Sequence, residues 1–240
     1  MTPEEYNSIL TLPDTSINFN LNTSKYHDAL INAYNSITLN TAIQDSVFKI
    51  DGMSGVYYRS FINNLIRNIS DARYLEIGSW KGSTACSVIS NNTCKITCID
   101  NWVQFGGPKQ VFLDNINAHT NKNIEFTFLE QNFLKVNYST LGKFNVYLFD
   151  GPHRELDQYK GVSIALPALD DVFILIVDDW NWLEVRSGTR NAINELNLNI
   201  LESIEINTSQ NNTHPQIIRQ NSRWHNGYFV AVIDQSNKLI

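Results

Sequence analysis

With 240 residues, of which 42% are hydrophobic and 18% charged, the chain is long enough for one globular domain with a sizeable core and too short for two full ones. A formal net charge of -6 and the lack of a Lys/Arg cluster argue against a nucleic-acid partner. No apolar run approaches the roughly 20 residues that span a bilayer, and the opening MTPEEYNSIL has acids where a secretory signal needs basic residues, so a cytoplasmic protein with no membrane partner is expected.

Residues 1–70 carry no glycine-rich loop and read as an N-terminal helical cap. Helical periodicity covers 25–37 and 55–69, the second with Val56, Phe61, Leu65, Ile66 and Ile69 on one broad face. Asp51-Gly52 marks a turn between them. Packing on a sheet, covering a ligand and mediating a homo-oligomer are three roles this stretch leaves open.

From 71 to 240 the pattern becomes regular. Strand-like runs fall at 74–77, 95–99, 124–129, 144–149, 172–177, 200–206 and 228–233, with helix-compatible segments between the earlier ones. This alternation predicts an α/β domain with a Rossmann-like, doubly wound, seven-stranded and mostly parallel sheet. After 177 there is one helix-like piece, 189–198, and then two strands around a polar loop, which predicts an antiparallel last strand. Cys86, Cys94 and Cys98 have apolar neighbours and no zinc spacing, and read as reduced, packed thiols.

The chemistry concentrates at strand ends. The run YLEIGSWKGST, residues 74–84, is a strand, a turn punctuated by Gly78 and Gly82, and a helix start, an order suited to a nucleotide-type ligand and equally to a plain tight connection. Asp100 closes the second strand 22 residues after Gly78, where a carboxylate can accept from both hydroxyls of a ribose. Trp102 can face an adenine or simply anchor its loop. The third connection offers Glu130, Gln131 and Asn132 to an adenine edge, or is an ordinary polar loop.

Two further strand ends read FDGPH, with Asp150 and His153, and VDDWNW, with Asp178 and Asp179. Neighbouring strands lie about 5 Å apart, so three carboxylates would crowd one edge and raise one another's pKa unless a cation intervenes. An oxygen-only ligand set favours a hard ion, Mg²⁺ first. His153 beside it suits a general base. Asp170-Asp171 precedes its strand and belongs at the opposite edge, as a solvated turn. Arg186 and Arg190 can meet an anionic substrate group, and His214 and His225 have no recognisable partner. Residues 105–109, FGGPK, have the glycines of a mobile cover.

With Glu76, Gly78 and Gly82 in the loop, Asp100 after the second strand and Asp150 after the fourth, the segment from about 74 to 232 resembles the class I S-adenosylmethionine-dependent methyltransferases. The resemblance implies that Glu76, Gly78, Ser79, Gly82 and Ser83 embrace the methionine part of the donor. It implies also that Asp100 takes the ribose, with Asn101 and Trp102 beside it, and that Asn132 falls near the adenine, where the family more often has an acid. DGPH followed by DDW looks most like the macrocin and mycinamicin type of Mg²⁺-dependent sugar O-methyltransferases. That likeness implies Asp150, Asp178 and Asp179 as metal ligands, with Asp150 also at the donor, and His153 as the catalytic base acting on a small-molecule or glycan hydroxyl. A metal-independent small-molecule methyltransferase, an NAD-binding oxidoreductase and a non-catalytic binding protein are the rival readings.

Overall fold

The structure, a computed structural model, describes residues 15–39 and 42–238. Of the expected cap, residues 1–14 and 40–41 lie outside the described residues, as do 239–240 at the other end. The chain begins with strand β1 (Ser16–Asn20), helix α1 (His27–Asn35), the short α2 (Asp45–Phe48) and α3 (Val56–Arg67). There follow β2 (Arg73–Ile77), α4 (Ser83–Ile89), β3 (Cys94–Asp100), α5 (Lys109–His119), β4 (Ile124–Glu130), β5 (Phe144–Phe149), α6 (Glu155–Ala165), β6 (Leu169–Asp178), α7 (Leu183–Glu195), β7 (Asn199–Asn207) and β8 (Tyr228–Asp234).

All the strands join one sheet in the order β1-β7-β8-β6-β5-β2-β3-β4. The pairs β2/β3, β2/β5, β3/β4 and β5/β6 are parallel. β8 enters antiparallel between β6 and β7, as the antiparallel last strand requires. The sheet is eight-stranded rather than seven-stranded because β1, from the stretch expected to be purely helical, pairs antiparallel with β7 from Ser16↔Asn207 to Asn20↔Ser203. Glu202, fully buried on β7, fixes the chain that follows β1. Its Oε1 accepts from Ser24 N at 2.7 Å, and its Oε2 lies 2.9 Å from His27 Nδ1.

Strand alternation sorts the core into two layers. Tyr74, Ile96, Cys98, Val146, Leu148, Ile174 and Val230 face one side, where Leu30, Ala33, Phe61, Leu65, Val88 and Phe112 of α1, α3, α4 and α5 cover them. Leu75, Ile77, Tyr147, Phe149, Phe173, Leu175 and Phe229 face the other, under Val162 of α6 and Val185 and Ala192 of α7. The N-terminal helices are therefore a structural layer of the sheet. All three cysteines are buried free thiols, and burial pushes that of Cys94 up to about 12.

Two expectations about boundaries are corrected. Helix α7 starts at Leu183 instead of 189. Gly188 in its interior is there because α6 comes close: a Cβ would stand 2.1 Å from the Glu155 carbonyl oxygen. Asp170 and Asp171 lie within β6, at its amino end, and Asp170 pairs with Arg73 at 2.8 Å, so they are no free turn.

Candidate active site

β2 delivers the chain to Gly78, which has φ +90°, and the turn ends at Gly82, with φ +80°, where α4 begins. No side chain fits at 78, because a Cβ would sit 1.8 Å from the carbonyl oxygen of Asp150. The glycine loop is thus pressed against the end of β5. Asp100, at the end of β3, holds the loop from the other side. Its Oδ2 accepts from Ser79 N and Trp80 N, both at 2.9 Å, and its Oδ1 accepts from Trp102 N at 2.7 Å.

The Trp102 ring is buried, 5.3 Å from Phe112 and 6.0 Å from Phe128 between centroids, and its Nε1 donates to Trp80 O. Of its two candidate roles, anchoring the loop is the one this geometry serves. Asn101 accepts from Val103 N, and Asn132 accepts from Leu134 N to cap a short turn, both at the exposed end of the same edge. Next to the loop, on β2, Glu76 is fully buried with Oε2 accepting from Tyr74 OH at 2.8 Å. Burial pushes its carboxyl up to about 7, the neighbouring hydroxyls partly offsetting this. Glu76 Oε1 and Ser79 Oγ make no hydrogen bond of ordinary geometry among the described residues. Buried polar atoms left unpaired beside a glycine turn fit a ligand that brings its own donors.

The second half of the site forms at the ends of β5 and β6, which are adjacent in the sheet, as the motifs require. Asp178 and Asp179 are almost completely buried, and Asp150 and His153 are partly open. His153 Nε2 lies 2.9 Å from Asp179 Oδ2 and 4.0 Å from Asp150 Oδ1. Asp179 sits at φ +58°, an unusual conformation for a non-glycine residue that turns its carboxylate back toward the histidine. Its other oxygen accepts from Asn226 Nδ2 at 2.6 Å.

The three acids do not share one electrostatic fate. Burial and then the charges of its neighbours, Asp178 first, hold Asp150 well above the usual carboxylate range. Asp178 is raised in the same way by burial and by Asp179. For Asp179, burial is outweighed by His153, His225 and Asn226, so its pKa is lowered. Correspondingly, burial opposes the charged form of His153, but Asp179 prevails and raises its pKa.

This arrangement does not fit the expected metal centre. Among the described residues no group of three or more His, Cys, Asp or Glu side chains could hold a metal ion. Asp150, Asp178 and Asp179 do converge, but Asp179 directs both oxygens at nitrogen partners, and Asp178 Oδ1 accepts from Asp179 N at 2.7 Å.

Several polar residues turn out to have partners within the protein. Arg186 donates to Trp180 O and to Asn211, and Arg190 pairs with Glu205 at 3.0 Å, beside an open cleft of about 600 Å³. His214 bonds Asn226 at 2.9 Å, and His225 Nδ1 accepts from Arg219 N. Sequence reasoning missed Asn226, Tyr58 and Tyr228. The two tyrosine rings stack with centroids 3.8 Å apart, and both lie close to Asp178 and Asp150. Their signal is spatial: Tyr228 is the register partner of Asp178, and Tyr58 arrives on α3.

Solved structures share this architecture. The O-methyltransferase TomG from Streptomyces achromogenes, involved in tomaymycin synthesis and in complex with S-adenosylmethionine, aligns over 96% of this chain and 95% of its own at 12% identity, with a TM-score of 0.54. An O-methyltransferase from Bacillus cereus in complex with S-adenosylhomocysteine aligns over 89% and 92% at 13% identity, TM-score 0.51. The fold is that of S-adenosylmethionine-dependent methyltransferases. The S-adenosylhomocysteine-bound Podospora anserina methyltransferase PaMTH1 aligns over 85% and 87% at 11% identity, TM-score 0.51. Other matched structures are longer: the chain spans about half of a Streptococcus mutans methyltransferase (48%) and of TrmN from Thermus thermophilus (52%), each with a TM-score of 0.49. No protein-family model and no curated protein matches the sequence. Among the described residues no helix is long and apolar enough to cross a membrane.

Proposed function

We propose that the protein is an S-adenosylmethionine-dependent O-methyltransferase acting on a hydroxyl of a small molecule or glycan. The observation that carries this reading is the His153–Asp179 pair, 2.9 Å apart, at the same sheet edge as a glycine loop beside which Glu76 Oε1 and Ser79 Oγ are buried without a hydrogen bond among the described residues. The neighbours of this fold that bind S-adenosylmethionine or S-adenosylhomocysteine, two of them O-methyltransferases, support it.

The donor supplies an electrophilic methyl group on a sulfonium sulfur, and the protein must supply a nucleophile. A hydroxyl is a weak one while it keeps its proton. Because a carboxylate only accepts, Asp179 fixes the tautomer of His153 with the proton on Nε2, and Nδ1 is left basic. His153 Nδ1 takes the hydroxyl proton as the oxygen–carbon bond forms and the sulfur–carbon bond breaks, so the histidine ends as the imidazolium that Asp179 stabilises. The loop held by Asp100, pressed on Asp150, brings donor and acceptor together, and such positioning contributes a large part of the rate.

Substituting His153→Ala tests the reading. Methyl transfer to hydroxyl acceptors should fall by roughly 10²- to 10⁴-fold, while S-adenosylhomocysteine binding, measured by calorimetry, stays within about twofold, a difference of only ~0.4 kcal/mol. Unchanged turnover would remove the histidine from the reaction.

The finer reading, a sugar hydroxyl activated by Mg²⁺, is supported by the oxygen-only set Asp150, Asp178 and Asp179, whereas the hydrogen bonds of Asp179 argue against it as they stand. Activity that survives EDTA is expected. Loss in EDTA with recovery on Mg²⁺ addition would show that the acids rearrange around an ion.

A further inference from the structure

Arg186 and Arg190, about one turn apart on α7, form one wall of the open cleft of about 600 Å³. The other wall is the end of β7 and the chain after it, with Glu205, Asn207, Gln210 and Asn211. The whole chain carries a formal net charge of -6, yet the charged lining here is two cations and one acid. That acid is already engaged: Glu205 accepts from Trp180 Nε1 at 3.1 Å and pairs with Arg190 at 3.0 Å. The cleft therefore holds one cation in excess.

Arg186 is that cation. It is 9% exposed, and its hydrogen bonds go to neutral oxygens, from Nη1 to Trp180 O and from Nη2 to Asn211 Oδ1. Burial and then the charge of Arg190 lower its pKa, and Glu205 offsets them only in part. A guanidinium taken out of water without a counter-charge is costly unless an anion meets it. The amides around it point the same way. Asn211 spends its oxygen on Arg186, which leaves its Nδ2 hydrogens as donors, and Asn207 and Gln210 can present their own amide nitrogens. Donors thus stand on both walls, and the matching ligand is a group that only accepts.

We propose that this cleft binds a phosphoryl group. A carboxylate offers two oxygens in one plane, whereas a phosphoryl group turns three oxygens and more charge toward donors on two walls. The volume has room for more than the phosphoryl group itself. The cleft lies at the carboxyl end of β7, on the sheet edge that also carries Asp178 and Asp179. Trp180 links the two places: it follows Asp179 directly, and its carbonyl receives Arg186. Two sources carry this chemistry, a phosphorylated acceptor and free phosphate. The first rests on the methyltransferase reading above, and occupancy of the cleft does not.

Calorimetric titration of the full chain with inorganic phosphate and with UDP-glucose tests this. R190Q should weaken phosphate binding by roughly 10-fold, the loss of one charge-assisted contact. E205Q, whose amide oxygen still accepts from Trp180 Nε1, should tighten it by about 3- to 10-fold, because an opposing charge is gone and Arg190 is released. Both side chains are partly exposed, so both variants should fold, and if R190Q does not, E205Q still decides. Absence of saturable phosphate binding by the unsubstituted protein, or an affinity that neither substitution changes, overturns the proposal. UDP-glucose that binds at least about 10-fold more tightly than phosphate, and is displaced by it, assigns the cleft to a phosphorylated acceptor. Equal or weaker binding of UDP-glucose assigns it to free phosphate. Neither titration involves S-adenosylhomocysteine, so failure of the cleft leaves the methyltransferase reading standing, and failure of that reading leaves phosphate binding standing.

Discussion

Asp100 and Asp178 end strands of the same sheet on the same edge, and their surroundings are opposite. Asp100 accepts from three backbone N–H groups and fixes a loop. Asp178 accepts one backbone N–H, that of Asp179, and burial and then that residue's charge hold it well above the usual carboxylate range, while it in turn raises Asp150. A carboxylate ringed by donors is satisfied and serves as scaffold. One packed among carboxylates holds electrostatic tension, which a proton, a cation or a cationic ligand can relieve. The glycine loop and the acid cluster therefore differ in kind, one holding shape and the other holding charge.

This comparison breaks or sharpens in experiments of decreasing effect. Asp179→Asn keeps a residue type that tolerates a positive φ but loses the charge facing His153. We expect kcat to drop on the order of 10²-fold or more with S-adenosylhomocysteine affinity unchanged; an equal loss of affinity would mean the cluster also builds the donor site. On the other side, Asp100→Ala orphans three N–H groups and should weaken S-adenosylhomocysteine binding by roughly 10²-fold. Calorimetry showing intact binding would remove the scaffold role.

Gly78→Ala drives a Cβ into the Asp150 carbonyl at a positive φ and should cost about 1–3 kcal/mol in chemical denaturation. Full stability would mean that the two halves are not in contact. The smallest effect lies far from both, at His27 and Glu202. The folded pKa of His27 is raised above 6.5, the hydrogen bond to Glu202 outweighing burial. The pair therefore stabilises fully below pH 6.5 and loses its contribution as pH rises through the raised pKa. Glu202→Gln should flatten that part of the stability profile, and an unchanged profile would show that the pair does not matter.

Seven strands and the order of the acids were legible because strands that cross the core are short apolar runs, and the carboxyl ends of the parallel ones carry the polar residues. β1 escaped because SINFN has only two apolar side chains on an edge strand, and its partner is at the far end of the chain. The start of α7 escaped because Gly188 resembles a helix break until its contact with α6 is seen. What stands against metal ligation is a contact no spacing reveals: Asn226, from the loop before β8, and His153 claim the oxygens of Asp179.

The pairing of β1 with β7 has a consequence for how the molecule is made. Asn22 and Leu201, joined by a hydrogen bond where this contact continues, are 179 residues apart in the chain. During synthesis β1 must wait for β7 to emerge, and in refolding it closes the longest loop of the sheet, a slow class of contact. The strand that shields the sheet's edge is thus secured late, and until then β7 presents an open row of backbone groups to any other chain nearby.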